Sequence, residues 1–163
     1  MNGLCLGGGF EMIINADLVL SSSDATFGLP EVKRGVIAIA GALPRLVRVV
    51  GRQRAGEMAL LGGTKSARDM EAWGVVNGVV EPGADVVEEA VRWAKVMAGN
   101  SPDAVLATKK GIELAWEGGG VESGSTALEE GREWRELLAG DNVKEGLEAF
   151  REKRAAKWRD SKL

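Results

Sequence analysis

Two glutamates and three consecutive glycines are the residues of this sequence whose types and spacing could do chemistry. The glycines, Gly7 to Gly9, stand where a short apolar segment changes to a helical pattern, and Glu11 follows them closely. Glycine lets the backbone approach a ligand, and the first amides of a helix have no partner within it. The pattern therefore indicates either a plain tight turn or a cradle of amides for an anion or a developing oxyanion.

The second glutamate, Glu31, follows Pro30 in a predicted bend. Each glutamate also has a simpler interpretation: Glu11 would interact with the helix dipole, and Glu31 would be a solvated turn residue. The sequence has no histidine, which excludes Ser–His and Cys–His nucleophile pairs and zinc sites that contain histidine. Two glutamates beside an amide cradle therefore suggest a paired acid and base, and we expect them to face one cavity.

The other reactive side chains offer little. Cys5 is the single cysteine, which excludes an internal disulfide and favours a packing role. No Lys-Ser or Lys-Thr pair follows the glycines, so a P-loop is excluded. We expect no metal site.

The composition predicts a soluble globular protein. Of the 163 residues, 45% are hydrophobic and 28% are charged, which is enough apolar material for a core. The net charge of -3 gives no general attraction to nucleic acid or anionic membranes, so we expect neither as a partner. No apolar run approaches the roughly 20 residues of a membrane span, and the N-terminal segment lacks the basic start of a secretory signal.

The elements that must position the glutamates are short in the N-terminal part of the chain, and the C-terminal part is predicted to be helical. The glycines are predicted to join a strand to a buried helix that ends at Asp17, with the Gly8 and Gly9 amides facing a cleft. Further strands are predicted over residues 18–21, 25–28 and 75–80. A helix is predicted from Gly41 onward with a stop at Gly51, and a second over residues 52–61. Ser66 is predicted to cap a third helix, with Ala67, Met70 and Trp73 on its inward face. Further helices are predicted over residues 85–98, 102–116, 122–139 and 143–158.

Five tryptophans accompany the helical patterns, and we interpret them as helix-packing or subunit-contact residues. The helices from residue 85 onward carry more apolar surface than a half-domain can bury, which predicts association of the chain with itself. The tryptophans are Trp73, Trp93, Trp116, Trp134 and Trp158.

Two motifs together resemble a known family. The segment Asn2-Gly-Leu-Cys-Leu-Gly-Gly-Gly-Phe-Glu11, with Asp17 after it, is similar to the N-G-x-x-x-G-G-G-x-E-x-x-x-x-x-D pattern of the crotonase (enoyl-CoA hydratase/isomerase) superfamily. Phe27-Gly-Leu-Pro-Glu-Val-Lys-Arg-Gly35 resembles its F-G-x-P-E-x-x-x-G signature, and the likeness continues to the C-terminal helix.

The resemblance implies an α/β fold. A partial ββα spiral with the active-site motifs would occupy residues 1–83, and a helical trimerisation region would occupy residues 84–163. Family members commonly extend much further toward the N terminus, and the missing part normally supplies the second oxyanion amide. The loop from Gly35 to Gly41 also lacks the proline often seen there.

The resemblance also implies a role for each candidate residue. The Gly8 amide would donate to the thioester carbonyl, Glu11 would help to activate water, and Glu31 would give the proton to Cα. The activity would be hydration of a trans-2-enoyl-CoA or the reverse dehydration, with no cofactor other than the coenzyme A of the substrate. Pro30 and Ile39 would border the acyl pocket.

The end of the last helix has an implied role as well. Phe150 and Lys153 would approach coenzyme A, often across a subunit boundary of a homotrimer or hexamer. The final Ser161-Lys162-Leu163 is the commonest form of the peroxisomal import signal, which predicts an import receptor as partner, the peroxisomal matrix as location and a part in fatty-acid β-oxidation.

Three alternatives stay open. Isomerases of this family usually keep a carboxylate at the position of Glu31 alone, so the presence of Glu11 favours hydration over double-bond isomerisation. The acyl group could also be branched or hydroxylated. A truncated, non-catalytic subunit is the alternative from another class.

Overall fold

The computed structural model describes residues 1–118, 120–161 and 163. It contains two compact units, Met1–Val91 and Arg92–Leu163. The functional division into residues 1–83 and 84–163 stays a prediction. Among the described residues, no helix combines the length and apolar character needed to cross a membrane.

The first unit alternates very short strands with helices. Its strands are β1 (Leu4–Leu6), β2 (Leu20–Ser21), β3 (Thr26–Gly28), β4 (Thr64–Ser66) and β5 (Gly78–Val79). Its helices are α1 (Gly8–Ile13), a 3-10 turn (Glu31–Arg34), α2 (Ala42–Val50), α3 (Arg52–Leu61) and α4 (Ala67–Ala72). Helix α5 (Val86–Ala98) follows.

Two small sheets organise this unit. In the first, β3 is central: it pairs in parallel with β1 and antiparallel with β4. The second is the parallel pair β2 and β5. Because β1 and β3 are parallel, both strands end at the same edge of the sheet, and the residues that follow them lie together there.

The core lies between the three-stranded sheet and the helices. Cys5 and Phe27 are register partners in β1 and β3, and both are fully buried. Burial raises the pKa of the Cys5 thiol, so the group stays protonated, as a packing residue would. Helices contribute Phe10, Leu46, Met58 and Met70 to the core, and Leu29 joins them from the segment after β3.

The predicted Ser66 cap is confirmed. The Ser66 hydroxyl accepts from the Asp69 amide at 3.1 Å, and the Asp69 carboxylate accepts from the Ser66 amide at 2.9 Å. The Ser66 hydroxyl also donates to the Asp69 carboxylate at 2.6 Å. This bond, together with the one from the Ser66 amide, holds the pKa of Asp69 below its ordinary value. The capping box fixes the start of α4 against the end of β4.

Several predicted boundaries in the first unit are wrong. Helix α1 ends at Ile13, well before Asp17, and it is not a buried helix because Met12 is 77% exposed. The predicted strand over residues 75–80 shrinks to β5. The amides of Val75 and Val76 donate to the Met70 carbonyl and close helix α4, which leaves them unavailable for a strand.

The second unit is helical. It contains α6 (Pro102–Trp116), which matches its prediction, α7 (Val121–Glu129), α8 (Arg132–Ala139) and α9 (Asp141–Glu152). The single helix predicted over residues 122–139 is broken at Gly131, which caps α8 in extended conformation. The helix predicted to residue 158 ends where Lys153 adopts a left-handed conformation, with φ of 55°.

The five tryptophans are all half-buried. The Trp73 ring lies 5.4 Å from the Arg54 guanidinium and 4.9 Å from the Lys65 amine. The Trp158 indole donates to the Gly99 carbonyl at 2.8 Å. Each ring is therefore partly covered by other residues of the same chain. A role in subunit contacts stays a prediction.

Candidate active site

The edge where β1 and β3 end positions Gly7 and Glu31. Gly7 directly follows β1, and its amide donates to the carbonyl of Gly28, the last residue of β3, at 2.9 Å. Buried Leu29 and then Pro30 carry the chain from β3 into the 3-10 turn that begins at Glu31. The sheet thus brings together two motifs that are far apart in sequence.

The Glu31 carboxylate packs directly on Gly7. A Cβ added to Gly7 would lie 3.3 Å from Glu31 Oε1, so only glycine leaves this space. The other oxygen, Oε2, is buried, and no donor among the described residues reaches it. A buried acceptor without a donor is costly, and in native proteins such groups often have a functional role. Glu31 Oε2 is therefore placed to accept a proton or a hydrogen bond from a ligand.

The amides at the start of α1 are available. The Glu11 amide donates to the Gly7 carbonyl at 3.0 Å and closes the first turn. Among the described residues, no carbonyl accepts from the amides of Gly8 or Gly9, and both glycines are exposed. The predicted order of strand, glycine turn and helix is confirmed.

Glu11 lies in the first turn of α1 and is 8% exposed. Its Oε1 accepts a long hydrogen bond, 3.5 Å, from the amide of Ala42, the first residue of α2. Its backbone carbonyl accepts from the Asn15 side chain at 2.6 Å. The starts of two helices favour negative charge at this position.

The structure therefore places both glutamates at the N-terminal end of α1. Glu31 packs on the residue that caps this helix, and Glu11 lies in its first turn. Chemically, the arrangement offers free amides for a developing oxyanion and two carboxylates that can exchange protons with a bound molecule. The shared cavity stays a prediction.

The predicted acyl-pocket residues have different environments. Pro30 caps the 3-10 turn and is half-buried. Ile39 is 84% exposed in the loop before α2, where Val36 and Ile37 are also exposed and Ala38 is buried. This loop offers apolar side chains at the surface of the unit.

Phe150 and Lys153 lie at the C-terminal end of α9 in the second unit. Phe150 is 86% exposed, and Lys153 caps the helix. Their predicted contact with coenzyme A stays a prediction.

Two backbone groups of the site were not among the predicted residues. They are the Gly28 carbonyl, which fixes Gly7, and the Ala42 amide, which faces Glu11. The role of Gly28 depends on the parallel pairing of β1 with β3, which its local sequence does not indicate.

Gly7→Ala tests the packing of Glu31. Gly7 has φ of 54° and ψ of -124°, so a side chain is expected to cost about 1–3 kcal/mol from backbone strain alone. Gly3→Ala is the control, because Gly3 has φ of 79° with nothing within 4 Å of an added Cβ. Urea unfolding should show the larger loss for Gly7→Ala, since its Cβ also presses on Glu31. Equal losses would contradict the close packing of Glu31.

Comparison with known proteins identifies the family to which the chain belongs. A model of the enoyl-CoA hydratase/isomerase family matches residues 1–161. The chain is 54% identical over 163 residues to a Beauveria bassiana protein named mevalonyl-coenzyme A hydratase, covering all of this chain and 58% of that protein. A protein of the same name from Aspergillus fumigatus is 52% identical over 163 residues, with 60% of it covered.

Solved structures agree with the sequence matches. An enoyl-CoA hydratase subunit from Geobacillus kaustophilus superposes with a TM-score of 0.90 at 38% identity, over 98% of this chain and 61% of that one. The predicted α/β spiral fold with a helical C-terminal region is thereby confirmed. The chain spans 58% and 60% of the lengths of the two fungal relatives.

Proposed function

Since the chain belongs to the enoyl-CoA hydratase/isomerase family, we propose that the protein adds water to, or removes it from, the C2–C3 bond of an acyl-CoA thioester. The observation that carries the proposal is the Glu31 carboxylate, which packs on Gly7 at the start of the helix that bears Glu11. Its Oε2 is buried and has no donor among the described residues.

In the hydration direction, the Gly8 amide donates to the thioester carbonyl. Glu11 accepts a proton from water as the water oxygen bonds to C3, and the electrons of the double bond move onto the thioester oxygen as an enolate. Glu31 then gives a proton to C2, and the carbonyl re-forms. Hydration in this scheme begins with a proton on Glu31 and none on Glu11, and it ends with the reverse. One proton must therefore return from Glu11 to Glu31 before the next cycle.

We propose mevalonyl-CoA as the substrate class because two relatives that are 54% and 52% identical to this chain over 163 residues bear that name. A mevalonyl group carries a hydroxyl and a methyl group on C3. In dehydration Glu31 takes the C2 proton, the C3–O bond breaks, and Glu11 protonates the departing hydroxide as water. An acceptor oxygen without a donor, as in Glu31, suits removal of a C2 proton.

Two carboxylates at the α1 end favour the hydratase over the isomerase. Moving a double bond needs one group that removes a proton and returns it, and Glu31 alone would suffice. Glu11 is buried and held at the start of α2, which supports a second proton-transfer group.

The remaining parts of the proposal rest on the resemblance alone. They are the coenzyme A contacts of Phe150 and Lys153, a homotrimeric or hexameric assembly, and the absence of any further cofactor. Peroxisomal location rests only on Ser161-Lys162-Leu163, in which Lys162 lies outside the described residues. The comparisons give it no support, since relatives from Dictyostelium discoideum and Pongo abelii are named mitochondrial.

The experiment compares substrates in two proteins. One is this chain. The other is a hybrid in which the N-terminal part of the Beauveria bassiana relative precedes Asn2. We expect the hybrid to dehydrate mevalonyl-CoA with kcat/KM at least about 10-fold above that for 3-hydroxybutyryl-CoA, because pockets discriminate methyl and hydroxyl groups by such factors.

The product is measured as the absorbance of the conjugated thioester. Failure of a folded hybrid to dehydrate either substrate would contradict the proposed reaction. Preference for 3-hydroxybutyryl-CoA would contradict the substrate class alone. Conversion of an α,β-enoyl-CoA to its β,γ isomer by the hybrid, without addition of water, would favour the isomerase.

A further inference from the structure

The chain turns back on itself after α9. Lys153 takes a left-handed conformation, its amide donates to the Phe150 carbonyl at 3.3 Å, and the Arg154 amide donates to the Ala149 carbonyl at 3.0 Å. The residues from Arg154 to Arg159 then run in irregular extended conformation over the helices of the second unit. We call this segment the strap.

Glu145 of α9 holds the first part of the strap. Its two carboxylate oxygens accept from the Arg154 guanidinium at 2.6 and 3.1 Å, and Oε1 also accepts from the Lys157 amide at 2.7 Å. These hydrogen bonds, first those from Arg154, lower the pKa of Glu145 to about 2. The carboxylate is therefore charged throughout the neutral range, and mild acid does not release the strap.

The Asn142 side chain holds the second part of the strap through the main chain of Arg159. Its side chain is 3% exposed, and it pairs with both backbone groups of Arg159: Oδ1 accepts from the amide at 2.8 Å, and Nδ2 donates to the carbonyl at 3.0 Å. Nδ2 also donates to the buried Asp103 carboxylate of α6 at 2.7 Å, which fixes the orientation of the amide. A buried side chain thus pairs with the strap as a neighbouring strand would.

Trp158 supplies the aromatic contact of the strap. Its indole donates to the Gly99 carbonyl, and its ring packs on Gly146, where an added Cβ would lie 3.2 Å from the ring. The ring itself is half-buried, and the other strap side chains are exposed or half-buried. The strap is therefore held by a few polar contacts rather than by burial in a core, and such segments open without global unfolding.

We propose that residues 154–159 form a detachable strap that opens and closes as one unit and, when closed, secures the last turn of α9. Opening removes the Arg154 hydrogen bond to Ala149 and frees the turn that carries Phe150 and Lys153. A consequence for coenzyme A binding rests on the proposed function, whereas the opening itself does not.

Native-state hydrogen exchange of this chain tests the proposal. The amides of Lys157 and Arg159 have acceptors on different side chains, Glu145 and Asn142. A strap that opens as one unit gives both amides the same opening equilibrium, larger than that of the buried Ala107 in α6. Exchange of either amide only together with Ala107 would overturn the proposal, because the strap would then open only on unfolding.

Glu145→Gln sharpens the test. It weakens the charge-assisted contacts of Arg154 and Lys157, and we expect exchange at Lys157 to accelerate about 10-fold. For a single unit, Arg159 must accelerate by the same factor although Asn142 is intact. Glu148→Gln, an exposed acid of the same helix, is the control and should change neither rate. Acceleration confined to Lys157 would show independent contacts and overturn the strap, whether or not the protein is a hydratase.

Discussion

Glu31→Gln in the hybrid with the N-terminal part of the Beauveria bassiana relative should lower kcat for dehydration by roughly 10²–10⁴-fold, the usual contribution of a general acid or base. Glutamine keeps the length that packs on Gly7, but its amide can neither remove a proton from C2 nor return one. The substitution changes Oε2 most. This oxygen is buried and has no donor among the described residues, and in glutamine its place is taken by either the NH₂ group or the amide oxygen. The loss should fall on kcat, with thioester affinity almost unchanged.

Glu11→Gln should produce a loss of the same order in the same assay. In the proposed mechanism Glu11 and Glu31 exchange protons with the same substrate, so the double variant should be little worse than either single variant. Glu57→Gln is the matched control, since this acid lies on α3, is half exposed and pairs with Lys65. Initial rates and thioester binding by calorimetry separate the effects. Unchanged turnover in Glu31→Gln would end the proposed mechanism.

Local order was predictable where it depends on neighbouring residues. The glycine turn, the Ser66 cap and the helix that starts at Pro102 are each encoded within a few positions, and all three are found in the structure. Strands of two or three residues are too short to show alternation. Strand β4 was therefore not predicted, and the apolar segment around Val75 was predicted as a strand although it closes a helix.

Candidate site residues could be named from the sequence, but their geometry could not. The motifs identify Gly8, Glu11 and Glu31 as candidates. The packing of Glu31 on Gly7 follows from the parallel pairing of β1 with β3, which joins positions distant in sequence. Pairing of that kind depends on the whole unit, so Gly28 could not be predicted from its local sequence.

The strap shows the same limit at the other end of the chain. Apolar spacing continues through residue 158, so a helix is predicted there, but Lys153 reverses the chain. The competing contacts come from Glu145 and Asn142, which are earlier in the chain and are satisfied only when the strap folds back. Hydrogen bonds across the fold thus prevail over helical periodicity.

Gly28→Ala should be strongly destabilising because β3 is central in the three-stranded sheet. The backbone of Gly28 does not require glycine, but its surroundings do: an added Cβ would lie 2.9 Å from the Gly63 carbonyl oxygen and 3.1 Å from the Leu6 side chain. The carbonyl belongs to the backbone and cannot rotate away, so β3 or the chain before β4 must shift. Overpacking of this kind typically costs about 1–3 kcal/mol.

The shift should also reach the candidate active site. The Gly28 carbonyl accepts from the Gly7 amide, and Glu31 packs on Gly7. Gly63→Ala is the matched control: it adds the same methyl group on the opposite side of this contact, where nothing lies within 4 Å. Urea unfolding followed by tryptophan fluorescence measures both variants. We expect Gly28→Ala to lose stability by about 1–3 kcal/mol and Gly63→Ala to stay within about 0.5 kcal/mol of the parent. Equal stability of the two variants would show that β3 has room beside Gly63, and the close packing that joins the sheet to Gly7 and Glu31 would be wrong.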